Sequence, residues 1–297
     1  MLRALLPLFF LILAPSSLLA QKVELLLSWN LKPYWQFVEG FRETGLFEAE
    51  VVVLKEVSGG GGFRAGEIVV AVGHRALSYV QKHPPRFFLA SLVLHPSLVG
   101  EPAPSGGVFL LLPPEQILPS LREALSPFLG RGTISLAIPY STTYGRRFVS
   151  EAQKLAPLFG FRVLPVPLRE GLAPLEEALS RAQVLYLLPD PFWESEELIA
   201  QVLEKALRKG CLAVGFNRFF LEKGAFLAFL IDYRLAGELT AHLLKECLTS
   251  RDCSWRPAPF RLKLNKHLKN FYFLPSKGAP KGPKFSEPVR KKDGDPE

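Results

Sequence analysis

The chain has 297 residues, of which 48% are hydrophobic and 22% charged, with a formal net charge of +8. That length is enough for two domains with proper cores. The basic excess is spread along the chain, densest at residues 277–292 among prolines and glycines, and no element carries a basic stripe with interleaved aromatics, so a nucleic-acid partner is not expected.

Residues 1–20 read as a cleavable secretory signal, with Arg3, an apolar run at 5–13, and Pro15, Ser16 and Ser17 ahead of Ala20. The run is too short to span a bilayer. Leu18 is a mediocre residue for a cleavage site, which leaves an uncleaved N-terminal anchor as the competing reading. No cysteine follows the cleavage point, so a lipoprotein is not expected. The expected address is periplasmic or extracytoplasmic.

The next segments alternate strand and helix. A strand at 22–28 ends on Trp29 and Asn30, and a helix at 34–44 carries Phe37, Val38 and Phe41 on one face and stops at Gly45. Strands follow at 50–57, 67–73 and 86–94, with a helix at 75–83 between the last two. The glycine run at 59–62 is not followed by Lys-Ser/Thr, so it fails the phosphate-loop pattern and reads as a connection. After a Pro/Gly-rich loop at 102–107, residues 108–112 form an extended crossing.

A second series repeats this logic. Helices are expected at 119–129, 145–159, 173–181 and 194–209, and strands at 133–138, 161–166, 184–188 and 212–216. An extended run at 225–231 follows. The runs at 184–188 and 212–216 are apolar on both faces, as parallel strands covered on two sides must be. The helix at 194–209 puts Leu198, Ile199, Val202, Leu203 and Leu207 on one face. Such alternation means right-handed crossovers and parallel sheets, hence an α/β chain of two Rossmann-like lobes with a cleft between them.

Cys247 and Cys253 bracket a short polar loop, where a small disulfide is one of two open readings; Cys211 opens a buried strand and reads as an inert core thiol. Five histidines and three cysteines show no zinc spacing, so no metal is expected. Gly-x-Ser-x-Gly and His-Glu-x-x-His are absent, and Glu115, Glu151 and Glu170 have no evident partner, so an enzyme is not expected.

In an open α/β sheet, ligands bind outside the carboxyl ends of the strands. The residues at those ends are Trp29, Asn30 and Tyr34, then Gly73 and His74, in the first series. In the second they are Tyr140, Ser141, Thr142 and Tyr144, then Asp190 and Phe192, then Asn217 and Arg218. Asp232 and Tyr233 stand where the extended run ends. Hydroxyls with the first amides of the following helix would hold a carboxylate. Asp190 or Asp232 would hold an ammonium, and the rings would stack on an apolar body. Each has a duller counterpart. Trp29, Trp35 and Trp193 would serve equally as packing between lobes, and Asp190 or the residues at 140–144 as helix caps.

The segments LLPDPFW at 187–193, GFNRFFLEKGA at 215–225 and IDYRLAGELTAHLL at 231–244 carry a resemblance. The chain resembles the substrate-binding proteins of ABC transporters with a type I periplasmic-binding fold, in the branch that includes binders of tryptophan and other aromatic amino acids. The resemblance covers nearly all of the chain from 21 to 276 and is strongest over 108–244. It implies three passages between lobes. The first lobe would hold 21–107 plus 232–256, the second 108–231 plus 257–275, and 276–297 would be a disordered tail. It implies a hinge or contact role for Asp232 and Tyr233. The chain departs from the pattern at His74, where a small hydroxyl residue is usual, and at 58–65, where the family has a helix. The function so implied is capture of an amino-acid-like or aromatic solute for an ABC permease, by a monomer without a cofactor. The alternative is a periplasmic sensor or envelope accessory protein using the same cleft.

Overall fold

The computed structural model describes residues 21–54, 68–168, 171–193, 195–250 and 253–268. The expected signal at 1–20, the glycine run at 59–62 and the expected tail at 276–297 lie outside the described residues, as do residues 55–57 of the expected strand at 50–57 and residue 194 of the expected helix at 194–209.

Two six-stranded sheets organise the chain. In the first, β1 (Lys22–Leu27), β2 (Glu48–Val53), β3 (Ile68–Val72), β4 (Phe87–Val93), β5 (Gly107–Phe109) and β11 (Trp255–Pro257) lie in the order β2-β1-β3-β4-β5-β11, and every neighbouring pair is parallel. The second contains β6 (Ile134–Tyr140), β7 (Phe161–Pro167), β8 (Val184–Tyr186), β9 (Leu212–Gly215), β10 (Leu227–Ile231) and β12 (Phe260–Leu264). Its order, β7-β6-β8-β9-β10-β12, repeats the first, except that β12 runs antiparallel to β10. This is the architecture expected of the alternation, two parallel-dominated α/β lobes.

The central strands are buried along their length, all five residues of β3 and all four of β9 included. Such strands need helices on both faces, because each fully buried aliphatic side chain contributes about 1.5–3 kcal/mol. In the first lobe α1 (Lys32–Glu43) covers one face through Phe37, Val38 and Phe41, and α2 (His74–Lys82) covers the other through Ala76, Leu77 and Val80. In the second lobe α3 (Pro114–Leu129) and α4 (Thr143–Leu155) share one face. The other face is covered by α5 (Ala173–Leu179), α6 (Glu196–Arg208) and the short α7 (Arg218–Glu222).

The chain passes between the sheets three times. It leaves the first after β5, returns after β10 as α8 (Tyr233–Ser250), adds β11 to the first sheet, and ends in the second as β12. The α8 helix lies against α1 so closely that a Cβ on Gly237 would fall 2.0 Å from the Phe37 carbonyl oxygen, and one on Gly40 would fall 1.9 Å from that of Arg234.

Four details differ from the sequence expectations. The crossing at 108–112 is strand only over Gly107–Phe109; Leu110 and Leu111 instead donate their amides to the carbonyls of Val93 and Leu94. The α3 helix begins at Pro114 rather than at 119, because burial of Ile117, Leu118, Leu121 and Leu125 outweighs the internal prolines Pro119 and Pro127. Residues 218–222 form a helix capped by Asn217, and Trp255–Pro257 is a strand. The cysteines do not differ: of the two open readings the disulfide Cys247–Cys253 is the one formed, and Cys211 is buried as expected, its thiol pushed up to about 12 by desolvation.

Candidate functional site

The shared strand order puts a topological switch point in each lobe. From the adjacent strands β1 and β3 the chain departs to opposite faces, through α1 and α2; from β6 and β8 it departs through α4 and α6. Crevices of this kind, at the carboxyl ends of the diverging strands, are where open α/β sheets bind ligands. Trp29, Asn30, Tyr34, Gly73 and His74 surround the first. Tyr140, Ser141, Thr142, Tyr144, Asp190 and Phe192 surround the second.

At the first switch point Ser28 ties three segments together. Its buried Oγ accepts from the Ala76 amide at 2.9 Å, capping α2, whose own N-cap residue is a glycine with no side chain to offer. Ser28 also hydrogen-bonds the Tyr34 phenol, which burial drives upward in pKa while that bond partly offsets the rise. Gly73 (φ 86°) lies under both groups, since a Cβ there would meet the Tyr34 hydroxyl at 2.5 Å and Ser28 Oγ at 2.7 Å. Gly73 therefore serves close packing of Tyr34. Outside this tie the surface is aromatic and exposed. Trp29 is 43% accessible and Trp35 37%, and Trp35 Nε1 donates to Asn30 Oδ1 at 2.7 Å. The Arg75 guanidinium lies 4.0 Å over the Trp29 ring.

At the second switch point Asp190 dominates, and it is 7% exposed. Its Oδ1 accepts from Ser141 Oγ and from the Phe192 amide at 3.0 Å; its Oδ2 accepts from the Ser141 amide at 2.9 Å and from Thr142 Oγ1 at 3.3 Å. Thr142 in turn accepts from the Gly145 amide at 3.2 Å, and the Tyr144 hydroxyl donates to the Pro189 carbonyl. Burial, more than the nearby Asp190 charge, pushes the Tyr144 phenol up to about 12. The expected carboxylate cradle at 141–145 is thus already filled by the protein's own Asp190. A carboxylate has about four lone-pair sites. All four are used, so Asp190 positions this loop and has no acceptor left for a ligand ammonium. Trp193 is buried in the core beside Phe192.

The remaining candidates lie off the switch points. Asn217 caps α7 by accepting from the Phe220 amide at 3.3 Å. Arg218 pairs with Glu222 at 3.0 Å and lines a hollow with Lys263, Asn265 and Lys266 near the β12 edge, so neither joins the groups around Asp190. Asp232 caps α8 through the Leu235 amide at 3.2 Å. Tyr233, raised in pKa by burial and then by its neighbour Tyr34, reaches back toward the first switch point.

Two groups went unread in the sequence. Arg75 was hidden because nothing local says that it will lie on Trp29, 46 positions away. His95 follows β4, and its titration is lowered first by burial and influenced by Glu151 and Arg147 of α4, so it faces the other lobe. Beside it Leu92 holds φ 56° in a β-bulge between Ser91 and Val93, while Ser91 Oγ bonds Thr240 Oγ1 of α8 at 2.9 Å. Among the described residues no group of three or more His, Cys, Asp or Glu stands together as a metal site, and no helix is long and apolar enough to cross a membrane.

Solved structures share this arrangement. A ligand-free, open substrate-binding protein with adhesive properties from Clostridium difficile superposes with a TM-score of 0.63, at 14% identity, over 86% of this chain and 97% of its own. An ABC domain in complex with L-Trp from Streptococcus pneumonia gives 0.53 at 15% identity, over 84% and 94%. The fold is the type I periplasmic-binding fold. A conserved domain protein from Vibrio cholerae gives 0.54 at 14% identity, over 85% of this chain and 94% of that one. No protein-family model and no curated protein sequence matches the chain. At these identities the likeness is one of fold, and this type I lobe pair must be read for function from its own residues.

Proposed function

We propose that this chain is an exported solute-binding protein that closes two lobes around a small molecule carrying an apolar or aromatic body and delivers it to an ABC permease in the membrane. The observation that carries the proposal is the exposure of Trp29 and Trp35 at a switch point otherwise sealed by Ser28, Tyr34 and Gly73. Large aromatics left accessible beside a pre-organised loop at a switch point are suited to stacking on a ligand. The Cys247–Cys253 bond agrees with an oxidising, extracytoplasmic address. Two of the proteins that share the fold are described as a substrate-binding protein and as an L-Trp complex, which supports binding as the function.

Native mass spectrometry of the full chain recovered from an exporting host, followed by thermal-shift screening with aromatic and aliphatic solutes, tests this reading. A ligand at a hundred times its Kd raises stability by about 2.7 kcal/mol, which moves the melting midpoint by several degrees. A co-purifying small molecule or such a shift is expected; the absence of both across the screen would sink the proposal.

A further inference from the structure

The charge of the ligand follows from which polar groups at the two switch points are still unspent. This step rests on the solute-binding reading above and asks what kind of solute the site takes. A zwitterionic amino acid needs a carboxylate to meet its ammonium. Asp190 cannot supply one, because all four of its acceptor sites are filled by Ser141, Thr142 and Phe192. Asp232 caps α8 and lines a hollow with Arg261, and with an Arg234 that is paired with Glu43, away from both switch points. Glu151 and Arg147 stand one turn apart beside His95 and offset each other.

The cations are less occupied. Arg75 opens α2, rests on Trp29, and among the described residues has no carboxylate in an ion pair with it. Arg146 opens the cleft-side end of α4 in the other lobe, also outside every ion pair formed among the described residues. A guanidinium resting 4.0 Å from an indole centroid is spent on a ring and not on a carboxylate, and its planar fork of N–H donors is the group that grips a carboxylate with two parallel bonds. Trp35, near the start of α1, is exposed as well and donates its Nε1 to Asn30, the residue after Trp29.

We infer that the cleft takes an aromatic carboxylic acid lacking an amine, its ring against Trp29 and Trp35 and its carboxylate on Arg75, in preference to an aromatic amino acid. Asp190 is then a positioning residue for the 140–145 loop.

Titration calorimetry of the full chain with indole-3-propanoate, L-tryptophan and tryptamine holds the ring constant while the head group goes from anion to zwitterion to cation. The acid is expected to bind at least tenfold tighter than L-tryptophan, with no measurable heat from tryptamine. Arg75→Gln should weaken the acid at least tenfold without lowering the melting midpoint of the unliganded protein, and Arg75→Lys should retain part of the affinity. L-tryptophan binding as tightly as the acid, or tryptamine binding best, overturns the charge assignment and leaves solute binding standing. Binding of none of the three overturns the inference, and a full thermal-shift screen without a hit would overturn the binding reading with it. Unchanged affinity for the acid in Arg75→Gln overturns the role given to Arg75.

Discussion

Asp190 ties the 140–145 loop to its own through one carboxylate, and its four donors come from Ser141, Thr142 and Phe192. Asp190→Asn keeps the shape but replaces one acceptor oxygen with an NH2 that faces donors. Hydrogen bonds to a charged group contribute about 1.5–3 kcal/mol, so a loss of about 2 kcal/mol is expected in urea unfolding. An unchanged midpoint would show that the network is ornamental. In the sequence, Asp190 was legible as a polar residue at a strand end, but whether its oxygens faced inward or outward was not. That depends on a loop 49 positions earlier, a distance no periodicity reports. His95 makes a second prediction. Its Nδ1 accepts from the Ser97 amide at 3.1 Å, so the neutral ring carries its proton on Nε2, and protonation would set a second N–H against that amide. Its pKa is lowered, chiefly by burial. In the unfolded chain the ring takes up a proton near pH 6.5, while the folded chain resists until lower pH. The unfolded state thus binds more protons in that window, so stability is full above it, falls as pH drops through about 6.5, and levels off below the folded value. His95→Asn keeps an acceptor for Ser97 without titrating. Its stability should lose this component of the slope between pH 7 and 5, and an identical slope in both proteins would refute the assignment.

The elements themselves were largely readable, because strands buried on both faces and helices with one apolar face leave different periods in the sequence. The misses share a cause. The expected helix began at Pro119, a residue suited to a first turn, yet α3 runs on to Pro114 because its buried side, Ile117 through Leu125, holds it together, with Ser120 and Ser126 donating to the Gln116 and Arg122 carbonyls one turn back. Tertiary burial there outweighs local propensity. The α1–α8 crossing was illegible for the opposite reason, since Gly40 and Gly237 are unremarkable until the two helices are seen to touch. Alanine normally stabilises a helix relative to glycine by about 0.5–1 kcal/mol. At Gly237 the new Cβ would stand 2.0 Å from a backbone oxygen, so the helices must part. Overpacking of this kind costs about 1–3 kcal/mol, which reverses the sign. Gly237→Ala should therefore lower stability by about 1–2 kcal/mol. It should also disturb Tyr34 and Tyr233, which sit near this crossing, and so weaken ligand binding. A variant as stable as the parent would mean that the helices can separate without loss.

At the scale of the whole molecule, the return of α8 to the first lobe and of β12 to the second is encoded in pairings such as Phe37 with Gly237 and Leu230 with Arg261, which only the fold brings together. Their consequence is mechanical. Three strands of chain pass between the lobes, and since Trp29, Trp35 and Arg75 all stand in the first lobe, closure about those passages is what would bring the second lobe onto the ligand. Asp232 caps α8 at one passage, its amide donating to the Pro259 carbonyl at 2.8 Å, while the Ala258 amide donates to Phe109 at 2.7 Å at the others. Few backbone bonds therefore need to change for the lobes to rotate about this belt, as in hinge closure around a ligand. A ligand favours the closed state only by its greater affinity for it, and about 5.5 kcal/mol of that difference converts a 1:99 mixture into 99:1. Small-angle scattering with and without a saturating ligand measures the result. The radius of gyration should fall on binding, and because the comparison is a difference, segments unaffected by the ligand cancel. Asp232→Ala, which removes the cap at the passage but touches neither switch point, should change the extent of closure more than the affinity contributed by Trp29 and Trp35. Equal radii in the free and bound protein would mean that the ligand sits on one lobe alone, and the belt would then be only a connection.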